Sequence, residues 1–276
     1  MSDSLLELDH VTKRFGRVVI AEDLSFSVAP GDVVGIVGPN GAGKTSLFGL
    51  ISGDLAPGSG EVRFAGRAVT RLDAAARCRL GIGRTYQVPR PFGDMTVFEN
   101  LLVAAQQGGG LRRRASYAAA VQALERTGMA AQANAPAERL GLLHRKRLEL
   151  ARALASRPTL LLLDEVAGGL TDPEVAQLVE IVRGINAEGT AVIWIEHVVR
   201  ALTPVVGRLI CLAGGRFVGD GDPAAVLAEP AVREVFLGTE ATAALAGGSL
   251  WPQRDAGAGG TGETRAQAAD GDRSRP

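Results

Sequence analysis

The sequence predicts an α/β protein with a mostly parallel sheet core, an antiparallel β layer and an inserted α-helical subdomain. Three observations carry that expectation. Apolar runs of strand length at residues 33–37, 159–163 and 190–195 are separated by helical patterns, the rhythm of a parallel sheet covered on both faces. Residues 5–11 and 18–28 read as two strands joined by a polar turn at 14–17, an antiparallel pair. Between residues 97 and 154 the apolar spacing becomes helical with little strand character, so the helical block is an insertion between two parts of one core.

Taken in order, the two N-terminal strands lead to Val33-Val34-Gly35-Ile36-Val37, a continuous apolar run expected of a strand with no solvated face. Glycines follow at once, and Thr45 to Ile51 then spaces its apolar residues as a helix does. Glu61-Val62-Arg63-Phe64 reads as a short strand. Ala-rich stretches at 117–123 and 148–154 mark helices in the inserted block, the second beginning near Arg145. The strand at 159–163, a helix at 173–186 with Pro173 near its start, and the strand at 190–195 restore the alternation. The expected division is one domain over residues 1–240, with a core of 1–86 and 158–240 and a helical subdomain at about 87–157. Residues 241–276 are poor in apolar side chains and rich in Gly, Ala and charge, the composition of a disordered tail.

Composition narrows the classes of function. With 276 residues, 46% of them apolar, the chain has material for a sizeable core and is not a fibrous or disordered protein. Lys plus Arg number 30 and Asp plus Glu number 30, a net charge of zero that argues against a nucleic-acid partner held by bulk electrostatics. An anion must be gripped locally. Cys78 and Cys211 have neither disulfide-framework nor zinc-site spacing and read as small buried hydrophobes. The N-terminal residues alternate charge with apolar side chains, unlike a signal peptide. The longest apolar runs, Leu160-Leu161-Leu162-Leu163 and Ala191-Val192-Ile193-Trp194-Ile195, fall far short of the ~20 residues needed to cross a bilayer.

Only three residues are lysines, Lys13, Lys44 and Lys146, and one of them stands in the most informative motif. Gly38-Pro39-Asn40-Gly41-Ala42-Gly43-Lys44-Thr45 fits G-x-x-x-x-G-K-[ST] between a predicted buried strand and a predicted helix, the context of a P-loop NTPase with a RecA-like sheet. Glycines let successive backbone N–H groups curl around a polyphosphate, the helix that begins through Thr45 and Ser46 points its positive end at the same anion, and Lys44 neutralises the β/γ oxygens. Thr45 offers a hydroxyl to Mg²⁺. A second apolar strand ends in Asp164-Glu165, where Asp164 reaches the metal and Glu165 orients or deprotonates an attacking water. The strand Ile193-Trp194-Ile195 delivers Glu196-His197 in the same way, and His197 suits a γ-phosphate or the water beside it. Gln87, in Arg84-Thr85-Tyr86-Gln87, lies where the core gives way to the helices and suits a sensor of Mg²⁺ or of the attacking water.

With these motifs in order, the chain resembles the ATP-binding subunits of ABC transporters from Leu5 to Gly238. It is most similar to the branched-chain (hydrophobic) amino acid uptake class in Arg14-Phe15-Gly16, the phosphate loop, Arg84-Thr85-Tyr86-Gln87, Met95-Thr96-Val97-Phe98-Glu99-Asn100-Leu101, Leu163-Asp164-Glu165, Ile195-Glu196-His197 and Val235-Phe236-Leu237-Gly238. The resemblance implies that Phe15 stacks on adenine, that Glu165 is the catalytic base, and that Gln87 and His197 are the loop glutamine and switch histidine. It further implies ATP and Mg²⁺ as ligands and a dimer with each ATP between one phosphate loop and the other subunit's signature helix. Two membrane permease subunits and, indirectly, a solute-binding protein complete the expected assembly, at the cytoplasmic face of the cell membrane. Related cargoes share these motifs, so import of urea or short-chain amides and export of a lipid-linked glycan are alternatives. A soluble ABC-type ATPase acting on DNA or ribosomes is another, but such chains carry duplicated domains, coiled coils, zinc cysteines or a basic face that this sequence lacks. A P-loop kinase leaves His197 unexplained.

The signature is where the sequence departs from the family. Counting back from Arg147-Leu148-Glu149-Leu150-Ala151-Arg152 places Leu140-Gly141-Leu142-Leu143-His144 on a motif that should be close to Leu-Ser-Gly/Tyr-Gly-Gln. The Ser hydroxyl and the second Gly are missing, so the site this chain helps to form in a partner is expected to be weak. The residues acting on its own phosphate loop are all present. A heterodimer with unequal sites, in which a partner ATPase subunit supplies an intact signature, is therefore expected over a homodimer. Val166, where the family usually has Pro, and Val198, where Asp often follows the His, are smaller departures that bear on turnover.

Overall fold

The structure, a computed structural model, describes residues 4–235. The tail expected at 241–276, and Phe236, Leu237 and Gly238, lie outside the described residues. The chain opens with strands β1 (Leu6–Phe15), β2 (Val18–Val28) and β3 (Val33–Val37), then helix α1 (Lys44–Ser52). Strands β4 (Ser59–Phe64) and β5 (Arg67–Ala68), helix α2 (Ala74–Leu80) and strand β6 (Ile82–Arg84) follow. A helical stretch holds α3 (Val97–Val103) with a π-helical continuation at Ala104–Gly108, α4 (Arg113–Arg126) and α5 (Leu142–Ala155). Strands and helices then alternate through β7 (Leu160–Asp164), α6 (Asp172–Ala187), β8 (Ala191–Ile195), α7 (Val199–Leu202), β9 (Arg208–Ala213), β10 (Arg216–Gly221) and α8 (Pro223–Ala228).

Two sheets result. The first is antiparallel, in the order β2-β1-β4-β5, and the second runs β10-β9-β3-β8-β7-β6. In the second sheet the pairs β9·β3, β3·β8, β8·β7 and β7·β6 are parallel, and β10 adds an antiparallel edge. The buried runs read from the sequence are its central strands, and β3, β7 and β8 are buried at every position. Their side chains divide by parity. Val34, Ile36, Leu160, Leu162, Ile193 and Ile195 pack with Leu8, Phe26 and Phe64 of the antiparallel layer, while Val33, Leu161, Leu163 and Trp194 pack with the helices.

Helix starts follow local chemistry. Thr96 and Glu99 form a reciprocal capping box at α3, and Thr171 and Glu174 form another at α6, where Pro173 sits in the first turn. These hydrogen bonds hold both glutamates below their ordinary carboxylate range. Helix α5 starts at Leu142, three residues before the expected start near Arg145, because Gly141 supplies the extended N-cap backbone without any side-chain cap.

Strand register decides what shares an edge. Asp164 pairs with Ile195, Ile36 also pairs with Ile195, and Arg84 pairs with Leu162. The chain therefore leaves β3, β6, β7 and β8 at the same C-terminal edge, bringing out residues 38–44, Gln87, Glu165 and His197 side by side.

Candidate active site

The loop after β3 takes a shape that needs glycine. Gly38, Gly41 and Gly43 have φ of 153°, 79° and 104°. A Cβ on Gly38 would run into the Leu212 carbonyl, and one on Gly43 into that of Ile20, whereas Gly41 opens into free space. Gly43 is also the N-cap of α1, so residues 38–46 form a cradle closed by a helix N-terminus. Lys44 is buried, and its Nζ donates to the carbonyls of Gly38 (2.7 Å) and Pro39 (3.0 Å). Burial holds this ammonium below its usual range, opposed by the fields of Glu165 and Asp164.

Asp164 is buried at the end of β7. Its Oδ2 accepts from Arg84 Nη2 at 3.3 Å, and its Oδ1 is buried without a hydrogen-bond partner. Burial pushes its carboxyl up, with Arg84 pulling the other way. A carboxylate oxygen left unpaired within the field of Lys44 is chemically suited to a hard cation, and Thr45 follows Lys44 in the first turn of α1. Among the described residues no group of three His, Cys, Asp or Glu side chains could hold a metal, so a cation here would draw on phosphate oxygens.

Glu165 leaves β7 with φ of 47°, a left-handed conformation that costs a non-glycine residue ~1–3 kcal/mol. Its N–H donates to Ile195 O at 3.0 Å, which locks it to the end of β8. The carboxylate is largely buried, and Oε2 accepts from Gln87 Nε2 at 2.5 Å, with His197 Nδ1 3.8 Å away. Gln87, Glu165 and His197 therefore meet at one oxygen. Gln87, read from the sequence as a residue for Mg²⁺ or water, has its amide nitrogen on Glu165. Phe15 stands at the tip of the first hairpin, 53% exposed, with Lys13 Nζ 5.1 Å from its ring centroid.

Residues 140–144 sit apart from this group. None of the hydrogen bonds among the described residues joins them to the phosphate loop, and Leu142, 48% exposed, lies against Gly169. Three charged residues gained no role from the sequence. Arg84 ties Asp164 to Asp54 (2.7 Å), Lys146 reaches the backbone of Gln87 and Glu165, and Glu196 is wholly buried beside His197. Lys146 carried a signal in its rarity, and Glu196 in following an apolar strand. Arg84 stood at the head of the Arg84-Thr85-Tyr86-Gln87 motif, with nothing in the sequence to name its acidic partners.

A cleft separates the core from the helical stretch, lined by Asp54, Cys78, Arg84, Tyr86, Glu149 and Arg152. Beside it the chain after Gln87 exposes Val88, Phe92 and Met95, and Tyr86 is exposed as well. Burial pushes the Glu149 carboxyl up, opposed by Arg152, which also donates to Arg90 O at 2.8 Å.

The family profile "ABC transporter" matches residues 21–168. The chain is 33% identical over 253 residues to the high-affinity branched-chain amino acid transport ATP-binding protein LivG of Escherichia coli (strain K12), covering 86% of this chain and 99% of that protein. It is 37% identical over 217 residues to the ribose import ATP-binding protein RbsA 1 of Rubrobacter xylanophilus, where the match takes in 78% of this chain and 44% of the relative's length. The lipopolysaccharide export system ATP-binding protein LptB of Acidithiobacillus ferridurans is 33% identical over 236 residues, covering 86% of this chain and 98% of that one. Among solved structures, the ADP conformation of MJ1267, an ATP-binding cassette of an ABC transporter, superposes with a TM-score of 0.79 at 27% identity, covering 86% of this chain and 100% of that one.

Proposed function

The chain belongs to the ABC transporter ATP-binding family, and from that premise we propose that it powers uptake of branched-chain or related small amino acids, hydrolysing ATP at its own phosphate loop. The observation carrying the catalytic reading is the convergence of Gln87 and His197 on one oxygen of Glu165, beside a glycine cradle and a buried lysine. In this reading the N–H groups of residues 41–46 and Lys44 hold the β- and γ-phosphate oxygens. Asp164 Oδ1 and the Thr45 hydroxyl would hold Mg²⁺, which would supply positive charge beside the phosphate oxygens. Gln87 fixes one oxygen of Glu165 and leaves the other to take the proton of the attacking water, while His197 steadies the charge gathering there. Phe15, exposed at the hairpin tip, offers a face to adenine.

ABC ATP-binding subunits work with membrane permease subunits, and no described helix of this chain is long and apolar enough to cross a membrane. We assign the cleft between core and helices, with the exposed Tyr86, Val88, Phe92 and Met95, to a cytoplasmic helix of a permease, a reading in keeping with a peripheral subunit at the cytoplasmic face. The cargo assignment rests on likeness to a branched-chain amino acid transport protein along nearly its whole length, a solute-binding protein completing the importer. Gly141 at the α5 N-cap offers no hydroxyl, which supports a heterodimer whose partner ATPase subunit brings an intact signature. In membranes containing the permeases, this chain and its partner ATPase subunit, Lys44→Ala is expected to abolish ATP-driven uptake of leucine and to weaken binding of a fluorescent ATP analogue to this chain by at least ~100-fold. Unchanged uptake contradicts the site assignment, and uptake of other solutes but not leucine contradicts the cargo alone.

A further inference from the structure

Glu165 holds a left-handed backbone, and such a conformation persists only where its surroundings over-determine it. Two buried charged side chains take hold of the main chain around it. Lys146 comes from α5, is 5% exposed, and donates from Nζ to Glu165 O at 2.9 Å and to Gln87 O at 3.4 Å. Glu196 comes from the end of β8, is 0% exposed, and accepts at Oε1 from the Ala167 N–H (2.7 Å) and from Trp194 Nε1 (3.2 Å). Its Oε2 is buried with no hydrogen-bond partner. The backbone of the turn is thus held at the carbonyl of residue 165 by Lys146 and at the amide of residue 167 by Glu196.

A buried lysine and a buried glutamate are costly in a core that apolar residues would fill as well. Burial lowers the Lys146 ammonium, and Glu196 is the strongest of the charges opposing that shift. Lys146 Nζ and Glu196 Oε1 both engage the segments that carry Gln87 and Glu165.

We propose that Lys146 and Glu196 are positioning residues that set the 165–167 turn so that Glu165 is presented for hydrolysis, Lys146 making that setting depend on contact between α5 and the core. The inference rests on the reading of Glu165 as the catalytic base. It deepens that reading, because a lysine on the helical stretch hydrogen-bonds both catalytic segments and couples any shift of α5 to the carboxylate. The nucleotide is held elsewhere, on residues 38–46, so a loss of positioning separates turnover from binding.

The test is steady-state ATP hydrolysis by the complex assembled with its permeases and partner subunit. Glu196→Ala and Lys146→Met are each expected to lower kcat by ~10–100-fold with KM for ATP within ~3-fold of wild type. Glu196→Gln keeps an oxygen for the Ala167 N–H and is expected to restore most of kcat. The double variant is expected to lose less than the product of the two single losses, because both act on one turn. Wild-type kcat in Lys146→Met overturns the proposal, as does a kcat loss in Glu196→Ala that Glu196→Gln fails to relieve. If Glu196→Ala does not assemble, Lys146→Met and its rescue by Lys146→Arg decide alone. Glu165→Gln serves as the control: turnover surviving in it sinks the reading of the base itself, whereas its loss beside unaffected Lys146 and Glu196 variants sinks only the positioning role.

Discussion

The pKa of Glu196, ordinarily 4.5, is pushed to about 7, chiefly because burial strips the carboxylate of water, with the Ala167 and Trp194 hydrogen bonds and Lys146 opposing and Glu165 adding to the rise. Between those two values the folded chain keeps a proton that the unfolded chain has released. Stability from this group is therefore fully present below 4.5 and is lost as pH climbs towards about 7, some ~3 kcal/mol in all at ~1.4 kcal/mol per unit. Replacing Glu196 by Gln removes the titrating group. Denaturant unfolding of that variant is expected to lose ~3 kcal/mol less than wild type between about pH 4.5 and pH 8, and parallel profiles contradict a buried, titrating acid. At this scale the sequence was legible where a spacing names a chemistry: Lys44, Asp164 and Glu165 were readable because a phosphate loop needs its glycines and a strand end needs its acids. Lys146 and Glu196 were not, since their partners are backbone atoms of Gln87, Glu165 and Ala167 that only the register of β7 on β8 and the packing of α5 bring near.

Helix α1 is gripped at both ends, by Gly43 at the cradle and by Arg77 at its other end. Arg77 is fully buried and donates to Leu50 O (2.6 Å), Ile51 O (2.9 Å), Thr70 O (3.1 Å) and Leu72 O (3.1 Å), satisfying the last carbonyls of the helix with a charge of the sign its C-terminus favours. Arg77→Met is expected to cost ~2–4 kcal/mol in unfolding free energy, since several buried acceptors lose their donor, and to weaken nucleotide binding only a few-fold. An unchanged melting temperature contradicts this role. Strands β3, β7 and β8 were legible because burial on both faces writes a continuous apolar run. Strand β1 runs on to Phe15, beyond the expected end at Val11, because Arg14 and Phe15 are exposed and leave no alternation to read. Strands β5 and β6, two and three residues long, exist through their neighbours, Arg63 and Phe64 for β5 and Leu160 to Leu162 for β6, and no local pattern marks them.

Across the whole molecule, the fold reads as a device for bringing four strand ends to one edge and for setting a helical stretch against them. The α/β class and the ABC family were legible because the ordered motifs require a parallel sheet with an insertion, and the strand order fulfils that requirement. The contact between α5 and the turn at Glu165 was hidden, because it pairs Lys146 with residues far along the chain. Gly141 at the α5 N-cap has no hydroxyl to offer the nucleotide of the proposed partner, while Lys44, Glu165 and His197 are all present on this chain. That asymmetry is the ground for the proposed heterodimer with two unequal sites. The most direct measurement is single-turnover hydrolysis in the assembled complex with a Glu-to-Gln change in one ATPase subunit at a time. Glu165→Gln in this chain is expected to abolish the fast phase, and the corresponding change in the partner to leave it nearly intact; equal losses from the two changes, or a fast phase that survives Glu165→Gln, would contradict the account.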